Sequence, residues 1–207
     1  MMPRSHVSSK LHCIYVPGLG ANEPNGQQKA VDLWRWYGVE PELFQAGWSG
    51  RETWESKFNR LLERVDALHN QDTQVALVGA SAGASAVINA YAARKDQIVG
   101  CVLIAGKVNR PESIGQRIID EDPAFVVSAI ACEKALEELD ASHRKRILSI
   151  YSFADGVVTR ADSRVPGARN RIVFTPGHVN TIATQLVLGA PWFLGALRRN
   201  GRKVRQG

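Results

Sequence analysis

Val75-Ala-Leu-Val-Gly-Ala-Ser-Ala-Gly83 is the stretch on which the fold turns. An apolar run of strand length ends in Gly79-Ala80-Ser81-Ala82-Gly83, and the alanine-rich segment Ala82–Ala93 follows with almost no turn between. Strand, sharp turn and helix in such short order force the serine into a strained backbone conformation, so its neighbours two positions away must be very small. Gly79 and Gly83 meet that need. The turn lifts the Ser81 hydroxyl above a sheet edge and aims the first helical N–H groups at any negative charge developing beside it. G-x-S-x-G also arises by chance, and small residues at such a turn also serve close helix–sheet packing. The strand before and the helix after favour the nucleophile. Ser85, one turn further into the helix, faces the wrong way.

Outward from this stretch, short apolar runs alternate with longer segments of helical period, the signature of a mostly parallel sheet covered by helices on both faces. The predicted strands are Leu11–Val16, Val39–Phe44, Val75–Gly79, Ile98–Ala105, Ile147–Phe153 and Arg171–Phe174. Gln27–Tyr37 and Glu52–Leu68 read as crossover helices, the second carrying Trp54, Phe58, Leu61, Leu62, Val65 and Leu68 three and four apart. Pro123–Leu139 opens with a helix-compatible proline. Residues 107–140 read as a connection plus helix that partly roofs the C-terminal edge of the sheet, a minimal cap rather than a second domain.

A serine hydroxyl is a poor nucleophile near neutral pH, so Ser81 requires a histidine base and an acid to orient it. In a parallel sheet these must follow strands. His6 and His12 lie at or before the first strand, His69 ends a helix and His143 precedes the fifth strand, all at the opposite edge. His178, in Thr175-Pro-Gly-His-Val179, follows the last strand and shares the serine's edge. Asp155, directly after the fifth strand and followed by Gly156, is the first choice of acid, with Asp162 in reserve and Asp122 third; the alternative role for Asp155 is a turn or cap. The chain order Ser81, Asp155, His178 suits this architecture. The oxyanion donors are then the backbone N–H groups of Leu19, in the turn Val16-Pro-Gly-Leu-Gly20, and Ala82, next to the nucleophile. Trp48, in Gln45-Ala-Gly-Trp-Ser-Gly50, sits on a loop at the same edge, where it either walls an acyl pocket or packs beneath the loop.

Cofactor signals are missing. Gly18 and Gly20 follow a strand, but Glu23 stands where a dinucleotide fingerprint needs a small residue, and the turn at 79–83 lacks the lysine of a phosphate loop. No Cys/His ligand spacing indicates a metal.

With these residues in hand, the sequence resembles the α/β-hydrolase superfamily, through VPGLG at 16–20, VALVGASAGAS at 75–85, SFADGVV at 152–158 and TPGHVNTI at 175–182. It is most similar to small, nearly lidless members such as compact lipases and short serine hydrolases of the retinoblastoma-binding-protein-9 type. The resemblance implies a six-stranded sheet with the nucleophile at the end of a central strand, and nucleophile, acid and base roles for Ser81, Asp155 and His178. It departs at Pro17, where many members have histidine, and at Ala80, where histidine or tyrosine often precedes the serine. Neither change removes a triad group.

Composition sets the outer limits. The 207 residues suit one domain. Of the 26 basic residues, Arg198, Arg199, Arg202, Lys203 and Arg205 fall in the last ten positions with no acid, leaving 21 against 20 acidic residues in the body. The body is near neutral, so a basic nucleic-acid face is not expected; the tail reads as a solvated, frayed end, with an anionic partner as the alternative. Cys13, Cys101 and Cys132 cannot pair completely and read as small core residues of a protein from a reducing, cytoplasmic compartment. Val179–Leu197 lacks charge but is interrupted by polar residues and Pro191, and reads as two packed helices broken there rather than a membrane span. The expectation is a serine hydrolase acting on a small-molecule acyl ester, thioester or amide without a cofactor; the alternative is a binding protein on the same scaffold.

Overall fold

The computed structural model describes residues 10–20 and 25–204. Its strands are β1 (Leu11–Val16), β2 (Val39–Leu43), β3 (Val75–Ala80), β4 (Ile98–Ile104), β5 (Ile147–Ser152) and β6 (Arg169–Val173). They form one sheet in the order β2-β1-β3-β4-β5-β6, and every neighbouring pair is parallel. The helices are α1 (Asn25–Asp32), α2 (Trp54–Asn70), α3 (Gly83–Ala93), α4 (Gln116–Glu121), α5 (Pro123–Glu137), α6 (Ala141–Arg144), α7 (Arg160–Ser163), α8 (His178–Thr184) and α9 (Ala190–Val204).

The central strands β1, β3, β4 and β5 are buried at every position, which is why they read as unbroken apolar runs rather than alternating ones. Alternate side chains feed two cores. Ile14, Val16, Leu77 and Leu103 pack with Leu61, Val87 and Phe125 from α2, α3 and α5. Cys13, Tyr15, Val78 and Ile104 pack on the other face with Trp34 and with Phe193, Leu194 and Leu197 of α9. All three cysteines are free and buried; burial pushes the thiols of Cys13, Cys101 and Cys132 well above their ordinary pKa, so they are inert core residues. β6 starts at Arg169, two residues before the predicted Arg171, because an edge strand needs no apolar run to pair: Leu148 of β5 lies opposite Arg169. α2 starts at Trp54 because the Thr53 side chain accepts the Ser56 N–H and caps it there.

From β1 the chain moves outward to β2, then crosses back to β3 and steps the other way through β4, β5 and β6. The loops after β1 and β3 therefore part at the C-terminal edge and open a crevice between them.

The C-terminal reading needs two corrections. Residues 178–204 form one helical path, with a π turn over Gln185–Gly189 joining α8 to α9. Pro191 lies in the first turn of α9 and does not break the path, since the wider π turn ahead of it relieves the clash a proline ring makes with the preceding carbonyl. Nor is the basic segment frayed through Val204. Leu197 and Gly201 are buried, Arg198 Nη1 donates to the Tyr37 carbonyl at 3.0 Å, and Gln74 Nε2 donates to the Gly201 carbonyl at 2.8 Å. Arg205, like His6 and Glu23, lies outside the described residues. Among the described residues no helix is long and apolar enough to cross a membrane.

At the opposite edge of the sheet, Glu42 of β2 accepts from Arg64 at 2.8 Å through both Nε and Nη2 and contacts His12 Nε2 at 2.7 Å. Burial works against its charge, but the His12 and Arg64 bonds outweigh that and hold the carboxyl at about 2. A depressed native pKa contributes stability that is complete above the ordinary carboxylate range and lost as pH falls through the native value. Glu42→Gln is therefore expected to flatten the acid limb of stability between about pH 4.5 and 2, by about 1–2 kcal/mol after solvent screening, in urea titrations across that range.

Candidate active site

Ser81 lies at the junction of β3 and α3 with φ +50, the left-handed conformation that the sequence demands of a serine between Gly79 and Gly83. The turn is fixed from both sides. Ser81 N–H donates to the Ile104 carbonyl at 3.0 Å, and the Ser81 carbonyl accepts from Ala84 and Lys107 N–H at 3.1 Å each. A Cβ at Gly79 would sit 2.6 Å from the Gly83 carbonyl oxygen, and one at Gly83 would strike the carbonyls of Val16 and Pro17. Gly18 is under the same constraint, because a Cβ there would lie 2.7 Å from Ser81 Cβ. The loop after β1 is thus pressed directly against the serine. Ser85 points away, its hydroxyl donating to the Ala82 carbonyl at 2.8 Å and lying 2.8 Å from Ser128 Oγ.

His178 opens α8, and Gly177 before it takes φ +83. Gly177 N–H donates to the Ala154 carbonyl at 2.8 Å, tying the loop after β6 to the loop after β5. This brings His178 Nδ1 to 2.8 and 3.0 Å from the two Asp155 carboxylate oxygens. The other ring nitrogen, Nε2, lies 2.9 Å from Ser81 Oγ. Asp155 Oδ1 also accepts the N–H groups of Val157 and Val158 at 3.1 and 2.7 Å, so the aspartate makes the turn contacts and the histidine contact at once. The reserve acid Asp162 is engaged elsewhere. It caps α7 through Thr159 and pairs with Lys107 Nζ at 2.8 Å. Asp122 immediately precedes α5, and burial raises its carboxyl pKa.

Leu19 and Ala82 both line the cavity that opens on Ser81, and among the described residues no carbonyl accepts either backbone N–H. Trp48 is 3% exposed and is not among the residues around that cavity. Its Nε1–H donates to the Pro17 carbonyl at 3.0 Å, and its ring stacks on Trp54 at 6.2 Å and meets Phe125 edge-on at 5.9 Å. The indole thus props the loop after β1 from below. Trp48→Phe keeps an aromatic ring but strands a buried carbonyl, and is expected to cost about 1–2 kcal/mol, read as a lower urea midpoint at unchanged slope.

The cavity holds about 250 Å³. Besides Leu19, Ser81 and Ala82, its walls come from the segment after β4 (Lys107, Arg110, Ser113, Ile114, Ile118), from Phe125 of α5 and from the loop after β5 (Val157, Val158, Thr159, Asp162). Lys107, Arg110, Ser113, Ile114 and Ile118 carry no sequence signal of their own, although they belong to residues 107–140, the segment expected to partly roof this edge. Among the described residues no group of three or more His, Cys, Asp or Glu side chains is placed to hold a metal ion.

No family model matches the chain, nor does any curated protein. Solved structures do. Est1E from Butyrivibrio proteoclasticus superposes with a TM-score of 0.67 at 17% identity, over 96% of this chain and 92% of its own. One of the metagenome-derived lipolytic enzymes described as LipS and LipT gives 0.66 at 12% identity, over 96% and 95%. An S-formylglutathione hydrolase from Agrobacterium tumefaciens gives 0.62 at 13% identity, over 92% and 84%. With a wholly parallel six-stranded sheet, a serine turn on its third strand and this superposition along nearly the full length, the chain has the α/β-hydrolase fold.

Proposed function

We propose that the protein is a serine hydrolase that cleaves carboxylic esters of small acyl groups, with thioesters and amides open to the same chemistry. The observation that carries this reading is the unbroken line from Asp155 through His178 to Ser81, with contacts of 2.8 and 2.9 Å, ending at a hydroxyl that faces a cavity. Ser81 Oγ attacks the carbonyl carbon as His178 Nε2 takes its proton, and Asp155 holds the Nδ1–H and stabilises the resulting imidazolium. The carbonyl oxygen, now negative, is received by the N–H groups of Leu19 and Ala82. Collapse breaks the bond to the leaving alcohol, which takes the proton from His178 and departs, leaving Ser81 acylated. Water repeats the sequence, giving its proton to His178 and its oxygen to the acyl carbon, and Ser81 is regenerated.

The fold also suits a binding protein without turnover. Reaction with a fluorophosphonate probe separates the two: the hydrolase is expected to be labelled at Ser81 and to lose labelling in Ser81→Ala, whereas a wild-type protein inert to the probe and to p-nitrophenyl esters would refute the enzyme reading.

A further inference from the structure

The cavity beside Ser81 has a mixed lining. Leu19, Ile114, Ile118, Phe125 and Val157 are among its apolar residues, and Lys107, Arg110, Ser113, Thr159 and Asp162 among its polar ones. The charges there are two cations and one carboxylate, and they are not equally committed. Lys107 Nζ donates to the Arg110 carbonyl at 2.8 Å, to Ser113 Oγ at 2.5 Å and to Asp162 Oδ1 at 2.8 Å, which uses all three of its hydrogens. Asp162 is equally occupied, its second oxygen accepting from Thr159 N–H and Oγ1–H at 2.9 and 2.7 Å. These two neutralise one another.

Arg110 remains. Its guanidinium lies 3.9 Å from Asp162 Oδ1 and 3.7 Å from Glu112 Oε1, beyond hydrogen-bonding contact, and its side chain is about half exposed at 49%. Glu112 itself is 71% exposed. Among the described residues no acceptor takes a guanidinium N–H of Arg110. The backbone beneath it, by contrast, is pinned: φ is +57, the N–H donates to Glu133 Oε1 at 2.9 Å, and the carbonyl accepts from Lys107. A non-glycine residue in that conformation is strained and persists because these contacts over-determine it. The result is an anchored arginine among the cavity residues whose guanidinium, within ion-pair range of Glu112 and Asp162, makes no hydrogen bond to either. A guanidinium fork matches an oxyacid anion in two parallel hydrogen bonds.

We infer that the substrate carries an anionic oxyacid group, a carboxylate or a phosphate, at the end of a short acyl chain, with the chain lying against the apolar residues and the anion on Arg110. This rests on the hydrolase reading above. A volume of about 250 Å³ suits a chain of about five carbons with such an end group, taking roughly 20–30 Å³ per heavy atom.

The test compares p-nitrophenyl monoesters of glutaric acid, 4-phosphonobutyric acid and pentanoic acid at low ionic strength. At least one anionic ester is expected to exceed the pentanoate in kcat/KM by about tenfold, a preference that shrinks as salt is added; which of the two does so identifies carboxylate or phosphate as the end group. Arg110→Gln is expected to bring the ratio to one or below, and Arg110→Lys to retain part of it. Because the readout is a ratio within one sample, a misfolded fraction cancels. A wild-type enzyme that reacts with the fluorophosphonate probe yet shows no anionic preference, or a preference unchanged in Arg110→Gln, overturns this inference and leaves the hydrolase reading standing. Wild-type protein inert towards all three esters and the probe overturns both.

Discussion

Ser81→Ala is expected to lower turnover by about 10⁶-fold, and His178→Ala by a similar factor, while the double variant is little worse than either. The two losses are not additive because the groups form one device: without the hydroxyl the imidazole has no proton to take, and without the imidazole the hydroxyl stays protonated. Asp155→Asn should lose less, about 10⁴-fold. The amide can still receive the Val157 and Val158 N–H groups that Asp155 Oδ1 now accepts, so the turn survives, but it no longer stabilises the imidazolium and favours the wrong tautomer. Ser81→Ala should melt close to the wild type, its side chain belonging to neither hydrophobic core, whereas His178→Ala takes the ring partner from the Asp155 carboxylate, 5% exposed, and should melt lower. Initial rates with a p-nitrophenyl ester, paired with fluorophosphonate labelling, measure both parts. Undiminished hydrolysis by purified Ser81→Ala or His178→Ala protein would overturn the assignment.

The sequence makes these three residues legible for a topological reason. Each follows a strand, and in a parallel sheet every strand delivers its next residue to the same edge, so strand order alone brings positions 81, 155 and 178 together. The contact between His178 and the Asp155–Ser81 pair spans up to 97 residues of chain, yet no long-range packing had to be guessed to expect it. Lys107 and Asp162 show the opposite case. Their partnership crosses 55 residues and depends on where an aperiodic segment comes to rest, which no local pattern records. Read locally, Asp162 looked like a spare acid, and only its placement shows it saturated by Lys107 and Thr159. The terminal helix was obscured by composition: five basic residues resemble a solvated end, while the apolar stripe of Phe193, Leu194, Leu197 and Gly201 that docks it ends in a glycine that carries little hydrophobic signal. Trp48 was legible as a residue of this edge, but its indole bond to the Pro17 carbonyl is a tertiary fact.

Lys107→Met should be the most destabilising single substitution around the cavity. The side chains of Lys107 and Asp162 are 8% and 4% exposed, and removing one partner of a buried ion pair leaves the other charge uncompensated at a cost of about 3–5 kcal/mol. For a chain of this size, each kcal/mol is about 2–4 °C, so Tm should fall by roughly 6–20 °C. The pH dependence identifies the cause. In the wild type burial opposes the Asp162 charge, but the Lys107 and Thr159 hydrogen bonds outweigh it and hold the carboxyl below its ordinary pKa; that contribution is complete near neutrality and lost as pH falls through the native value. Without Lys107 the burial is no longer offset, the carboxyl moves upward, and Asp162 escapes its unpaired charge by taking a proton. The gap in Tm between variant and wild type should therefore be widest near pH 7 and narrow towards pH 4, and Lys107→Met/Asp162→Asn should recover part of the loss at pH 7. Since Lys107 Nζ also holds the Arg110 carbonyl and Ser113 Oγ, its loss should loosen the cavity wall and raise KM more than it lowers kcat, the Lys107 N–H bond to the Ser81 carbonyl being backbone and retained. A variant that melts with the wild type at pH 7, or whose deficit is the same at both pH values, would show that the buried pair does not hold this wall.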